Sequence, residues 1–97
     1  MSVVTTHTPG VPVDRMIEEM TRDGFEAAAK AYDEGKTEPH QHDYDVCLYI
    51  LEGEFKLREV ERSVVHCFSP GDKVMVDRGT VHAEEHGPLR MVVGRRH

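Results

Sequence analysis

Histidine is the residue type that most directly suggests chemistry here, since seven occur in 97 residues. His40 and His42 are separated by one residue, and positions i and i+2 of a β-strand project from the same face. Two adjacent imidazoles can share one metal ion, and His82, just past a turn at Gly79, is the best candidate for a third ligand. Imidazole suits iron, zinc, nickel, manganese or copper rather than calcium or magnesium. Three protein ligands would leave positions open for water or substrate, as in catalytic sites.

Two further polar residues follow His82 at alternate positions. On a strand, Glu84 and His86 would share the face of His82, so each is a candidate catalytic residue for proton transfer. Glu84 could also be a metal ligand or a hydrogen-bonding partner of one. The alternative is that both side chains simply face solvent at a barrel rim. The segment also resembles the helical zinc-protease pattern H-E-x-x-H, but the order is wrong and flanking glycines exclude a long helix, so we reject that interpretation.

The elements that must position these residues are mostly short strands. Apolar residues at positions 13, 16, 17 and 20 predict one short helix, which begins near Pro12 and ends near Gly24. Residues 25–32 have the alanines of a helix but the alternation of a strand, and we predict a strand that ends in a turn at residues 33–35. Turn-separated strands are predicted at residues 46–51, 55–60, 64–68, 73–76, 81–85 and 89–93. This spacing indicates an all-β barrel or sandwich.

The strand pattern also predicts which side chains point into the barrel. Strict alternation from His42 directs Tyr44, Val46 and Leu48 inward and Cys47 outward, into ordinary packing. Cys67 lies in an apolar run and is predicted to be part of the core. Residues 1–11 are expected to form a loose arm. The predicted organisation is therefore an arm with a short helix over residues 1–24 and a single barrel domain over residues 25–97.

Composition narrows the classes of partner. The net charge is −6 and the basic residues form no stripe, which disfavours nucleic acid. No window approaches the roughly 20 apolar residues of a membrane span, and no secretory signal is visible. Two cysteines without such a signal indicate thiols in the cytoplasm rather than a disulfide framework. We therefore expect a cytoplasmic protein with a small-molecule ligand and no membrane or nucleic-acid partner.

The first histidine pair lies in a stretch that resembles the first motif of the cupin superfamily, G-x5-H-x-H-x3/4-E-x6-G. Gly35, His40, His42 and Gly53 match this motif, with one spacer residue missing after Gly35. The acidic ligand of the family falls on Val46, which cannot coordinate a metal. That replacement is the main departure from the family pattern.

A second stretch resembles the other cupin motif, G-x5-P-x-G-x2-H-x3-N. Gly71, Gly79 and His82 match it, whereas Asp77 replaces the proline and His86 the asparagine. The two resemblances together imply a small cupin jelly-roll β-barrel with a short N-terminal helix outside it. They also imply metal ligands at His40, His42 and His82.

Three arrangements of the metal site stay open because of Val46. The site is a three-histidine centre, or Asp45 swings in where a bulge shifts the register, or tight metal binding has been lost. Three neutral histidines would leave a divalent ion with its full charge of +2, which favours an anionic substrate or a bound water of lowered pKa.

Two functions remain in competition. The first is a metal-dependent enzyme, similar to dioxygenases or isomerases, that acts on a small polar or anionic molecule. The second is a non-catalytic module that binds metal or a small ligand, similar to sensor domains. A barrel this small has exposed edges, so a homodimer is expected in either case.

Overall fold

The computed structural model describes residues 2–97 as two antiparallel β-sheets and one α-helix. This arrangement confirms the predicted all-β fold with a short N-terminal helix. The elements are, in chain order, β1 (Val3–His7), α1 (Val13–Arg22), β2 (Glu26–Tyr32), β3 (Gly35–Lys36), β4 (Asp45–Glu52), β5 (Phe55–Glu59), β6 (Val64–Phe68), β7 (Asp72–Val76), β8 (His82–His86) and β9 (Leu89–Arg96).

Helix α1 begins where the sequence predicts. The carbonyl of Pro12 accepts the Met16 N–H at 3.0 Å, and the missing N–H of a proline costs nothing at a helix start. Asp14 lies in the first turn and Arg22 in the last, so both charges complement the helix dipole. Gly24 then turns the chain with a φ of +91°, a conformation that glycine adopts without strain.

The strands form a five-stranded sheet in the order β1-β7-β4-β9-β2 and a four-stranded sheet in the order β3-β8-β5-β6. Every strand pairing is antiparallel. The inward side chains of both sheets meet in one apolar core, formed by Leu48, Ile50, Phe55, Leu57, Phe68, Val74, Val76, Leu89, Met91 and Val93. Alternation along the strands therefore gives a barrel interior, as the sequence predicts.

The opposite face of the five-stranded sheet is covered by helix α1. Met16 and Met20 are fully buried there against Cys47, Tyr49 and Val92. The outward direction predicted for Cys47 is therefore confirmed, since its neighbour Leu48 belongs to the interior core. We call this helix-covered group of residues the dry layer.

Three expectations about elements are corrected. Residues 3–7 are not a loose arm but strand β1, which pairs with all of β7 and covers an edge that would otherwise be open. Gly35 was expected to lie in a turn but begins β3, which pairs with β8. Cys67 is exposed rather than part of the core, because it points to the uncovered outer face of the four-stranded sheet, as does Val65.

Candidate metal centre

The segment that carries His40 and His42 is less regular than expected. Strand β3 pairs with β8 as far as the Thr37 N–H, which donates to the Glu84 carbonyl at 2.9 Å. Pro39 follows and has no N–H with which to continue the ladder. One extra residue is accommodated there before pairing resumes at an isolated bridge between His40 and His82. The expectation that His40 and His42 lie in a regular strand is therefore wrong.

The bulge nevertheless brings three imidazoles together. His40 and His82 exchange both backbone hydrogen bonds at 2.9 Å, so their side chains leave from directly opposite positions. The ring centroids are 4.5 Å apart for His40 and His82, 5.0 Å for His40 and His42, and 5.5 Å for His42 and His82. One nitrogen from each ring lies within 4.8 Å of the other two. Nitrogens grouped in this way could hold a single metal ion.

Backbone carbonyls orient two of these rings. The Nδ1–H of His40 donates to the Glu38 carbonyl, and the Nδ1–H of His82 donates to the Thr80 carbonyl, each at 2.8 Å. Because a carbonyl only accepts, Nδ1 must carry a proton, so Nε2 presents its lone pair whenever the ring is neutral, as metal binding requires. Metal-binding histidines are held in this way by outer hydrogen bonds. A protonated His82 ring instead directs an Nε2–H at Glu84. The donor set and its orientation therefore fit a divalent transition metal.

Glu84 is the acidic side chain beside this group. Its Oε1 lies 3.5 Å from Nε2 of the buried His82. Burial raises the pKa of Glu84, but the hydrogen bond from His82 and the charges of His82, His40 and His42 outweigh it and lower the pKa. Burial lowers the pKa of His82, but the bonds to Glu84 and Thr80 raise it overall. The pKa of His42 is lowered by burial and by its two histidine neighbours. An ionised carboxylate thus faces the imidazoles.

Asp45 does not replace the missing acidic ligand. Its carboxylate accepts the backbone N–H of Arg78 at 3.0 Å and lies 3.1 Å from the Arg96 guanidinium. These hydrogen bonds, led by those from Arg78, hold the pKa of Asp45 far below its usual range. The pairing of β4 with β9 is regular at Asp45, and its irregularity lies between Ile50 and Glu52 at the far end of β4. The possibility that a bulge swings Asp45 inward is therefore contradicted.

His40, His42 and Glu84 line a cavity of about 220 Å³ between the sheets, and His82 is buried beside them. The cavity volume corresponds to roughly seven water molecules. The inner wall is apolar and is formed by Val46, Leu48, Phe55, Met91 and Val93. The inward direction predicted for Val46 and Leu48 is confirmed by this wall.

Two pocket residues were not identified from the sequence. Tyr32 ends β2, and its register partner in β9 is the inward-facing Leu89. Arg95 lies two residues beyond the inward-facing Val93 on β9. Alternation within β9 would have found Arg95, had that strand been predicted to run past residue 93. Tyr32 required knowledge of which strands are paired.

His86 lies in the pocket wall but outside the three-histidine group. Its ring lies 6.1 Å from Tyr32 and 5.9 Å from Phe55, measured between centroids. Its Nδ1–H donates to the Gly87 carbonyl at 2.8 Å, and its Nε2 faces Gly35, where a Cβ would lie 3.3 Å away. Glu84 is therefore better placed for proton transfer, and the catalytic role of His86 stays a prediction.

Two other histidines have carboxylate partners of their own. His7 contacts Asp72 at 2.7 Å, and His66 contacts the buried Glu59 at 2.5 Å. Among residues 2–97, the group of side chains that could hold a metal consists of His40, His42 and His82.

Comparison with known proteins identifies related folds. The sequence profile of the Cupin domain family matches residues 31–93. A DUF861 family protein from Thermotoga maritima is 18% identical, with a TM-score of 0.66 over 95% of this chain and 97% of that protein. The polyketide cyclase RemF from Streptomyces resistomycificus is 27% identical, with a TM-score of 0.63 over 77% of this chain and 58% of RemF. The ribosomal oxygenase YcfD from Escherichia coli is 19% identical, with a TM-score of 0.62 over 86% of this chain and 26% of YcfD.

No curated protein matches the sequence. Among residues 2–97, no helix combines the length and the apolar character that crossing a membrane requires.

Proposed function

The chain belongs to the cupin domain family, and we propose that it is a metal-dependent enzyme that acts on a small anionic molecule. His40, His42 and His82 would be the ligands of a divalent transition metal. The observation that carries this proposal is the meeting of these three imidazoles beside a pocket that His40 and His42 line. Two of the rings bond through Nδ1 to a backbone carbonyl, which leaves Nε2 for a metal when the ring is neutral.

The charge of the site favours an anionic substrate. A divalent ion bound there would supply Lewis-acid polarisation of a substrate oxygen. The family position for an acidic ligand is Val46, so no carboxylate of β4 would neutralise part of that charge. Among the described residues that line the pocket, Glu84 is the acidic one. Net positive charge would then attract a small anion to the site.

Glu84 is the residue proposed to move a proton. Its carboxylate lies against Nε2 of His82 and lines the pocket, so it can accept a proton from a carbon adjacent to a polarised carbonyl. The apolar wall around Val46 and Leu48 limits the water that competes for this proton. Isomerisation or oxygenation through an enolate fits this arrangement. The likeness to a protein named a polyketide cyclase supports chemistry on enolisable carbonyl compounds.

A non-catalytic module is the alternative, and Val46 is the observation that favours it. Because Val46 supplies no fourth ligand, three imidazoles alone would hold the metal, and the same pocket could serve to bind a ligand without turning it over. Turnover distinguishes the two functions, because a binding module would retain metal and ligand but leave the ligand unchanged.

The first test is elemental analysis of protein purified without added metal or a metal-binding tag. Wild type is expected to carry a stoichiometric transition metal, and His82→Ala is expected to lose it, with affinity reduced by more than about a hundred-fold. His7→Ala is the matched control, because His7 is exposed and pairs with Asp72 instead. A wild-type protein without metal, or a His82→Ala variant that retains it, would contradict the proposal.

The second test is turnover by the loaded protein. Hydrogen–deuterium exchange at the methyl group of pyruvate reports enolisation, and oxygen uptake by the ferrous protein reports oxygenation. Glu84→Gln is expected to abolish exchange while metal stays bound. Metal binding without either activity would leave the module as the correct function.

A further inference from the structure

Arg95 extends the inner face of β9 to the mouth of the pocket. Met91 and Val93 precede it on the same face and form part of the pocket wall. Its register partner on β4 is Val46, the position at which the family has its acidic ligand. The guanidinium carbon lies 5.5 Å from the centre of the Tyr44 ring, which itself stacks on His42. Arg95 thus lines the same pocket as His40 and His42, and it lies opposite Val46, where the family has a carboxylate.

Arg95 differs from the other arginines of β9 and from Arg78 in forming no ion pair among residues 2–97, although Glu26 is its register partner on β2. Arg78 and Arg96 share Asp45, and Arg90 pairs with Glu52 at 2.8 Å. None of the ion pairs among residues 2–97 involves Arg95. Arg95 is a cation at the mouth of the pocket, and the strand opposite it has a valine where the family has an acidic residue. Such a cation can bind a negatively charged group of a ligand.

The positive charge of Arg95 acts on Tyr32, which lines the same pocket. Burial raises the pKa of Tyr32, and the positive charge of Arg95 acts against that increase. An anion paired with Arg95 would lie in the pocket that Tyr32 and His42 also line.

We infer that Arg95 is the anion-binding residue of this pocket and that the ligand is a small carboxylate whose charge occupies the place left by Val46. This inference rests on the proposed function and adds the substrate class to it. The carboxylate would face Arg95 at the mouth, and an adjacent oxygen would face the histidines. With space for roughly seven water molecules, the pocket suits a short-chain oxo acid.

The experiment compares pyruvate with pyruvamide, its neutral counterpart of nearly equal size. Both are titrated into ¹⁵N-labelled protein, metal-free and zinc-loaded, while NMR follows the Arg95 side-chain signal and the backbone of β9. Wild type is expected to bind pyruvate about five- to ten-fold more tightly than pyruvamide. Arg95→Gln is expected to remove this preference. Arg90→Gln, on the same strand but paired with Glu52, is the control and is expected to keep it.

The outcomes separate this inference from the proposed function. If zinc binds but pyruvate and pyruvamide bind equally, or if Arg95→Gln keeps the preference, the role of Arg95 is refuted while the metal site stands. If zinc does not bind but the preference depends on Arg95, the anion site stands and the metal proposal fails. If pyruvate binds neither the metal-free nor the zinc-loaded wild-type protein, the inference is overturned.

Discussion

Strands β4 and β9 have one face in the dry layer and the other in the pocket, although both faces come from the same stretches of chain. Cys47 and Val92 lie beneath helix α1, fully enclosed by apolar neighbours. Burial raises the pKa of the Cys47 thiol to about 11, as expected where water is excluded. Their neighbours Val46 and Val93 instead line the pocket beside the histidines.

The two faces differ in how completely their polar groups are satisfied. In the dry layer, the Tyr49 hydroxyl donates to the Thr8 carbonyl at 2.8 Å and accepts the Val11 N–H at 3.2 Å, so its bonding capacity is used within the fold. The pocket retains the Nε2 atom of His40 and the guanidinium of Arg95, which forms no ion pair among residues 2–97. Groups that folding leaves available are the ones that can bind a ligand.

The largest expected effect of a single substitution is in the dry layer. Met20→Ala removes a fully buried side chain and is expected to lower the free energy of unfolding by about 3 kcal/mol, through lost burial and the cavity left behind. Urea unfolding measures this loss. Glu18→Ala on the exposed side of α1 is the control and should change stability by less than about 0.5 kcal/mol. The affinity of the folded Met20→Ala variant for metal should match that of wild type; a large change would show that the faces are coupled.

The second prediction alters the pocket face alone. Val46→Glu restores an acidic side chain opposite Arg95 and is expected to increase metal affinity about ten-fold while weakening pyruvate binding, because the new carboxylate competes for Arg95. Competition with a metal-sensitive dye measures the affinity. Val46→Gln has nearly the same shape without the charge and should not reproduce the gain. Equal metal affinities of Val46→Glu and Val46→Gln would contradict the assignment of residue 46 as the position of the family's acidic ligand.

The smallest effect is expected at Asp45, which is next to Val46 but bound to arginines away from the pocket. Asp45→Asn is expected to lower the free energy of unfolding by about 1 kcal/mol at neutral pH, with metal affinity unchanged.

This loss should depend on pH in a defined direction. The pKa of Asp45 is lowered by its bonds to Arg78 and Arg96, so its contribution is complete above the unfolded pKa of about 3.9. The contribution disappears as the pH falls through the lowered pKa of the folded state. Thermal unfolding of wild type and variant should therefore converge in strong acid. A difference that persists there would show that the arginine bonds are not its source.

Much of the fold could be predicted because it depends on local patterns. The periodicity around Met16 and Met20 predicted the helix, and the alternation of residues 25–32 predicted β2 despite their alanines. The structure also brings together the three histidines that the motif resemblance identified.

The remaining features depend on contacts between distant segments. Strand β1 exists because β7 offers it an edge, which no local pattern of residues 3–7 reveals. Cys67 is exposed because nothing among residues 2–97 covers that face of the sheet, although its apolar neighbours resemble core. The sequence does not reveal the bulge near Pro39. The bulged segment still places His40 opposite His82, as a regular strand paired at that point would.

The distribution of aromatic residues gives the protein an optical property. The chain has no tryptophan and three tyrosines, so its ultraviolet emission comes from phenol rings. Tyr32 and Tyr44 line the pocket, whereas Tyr49 is buried beneath the helix. A quenching ion such as copper would dim the first two and leave the third as an internal reference. Occupancy of the pocket can therefore be recorded by fluorescence without any attached dye.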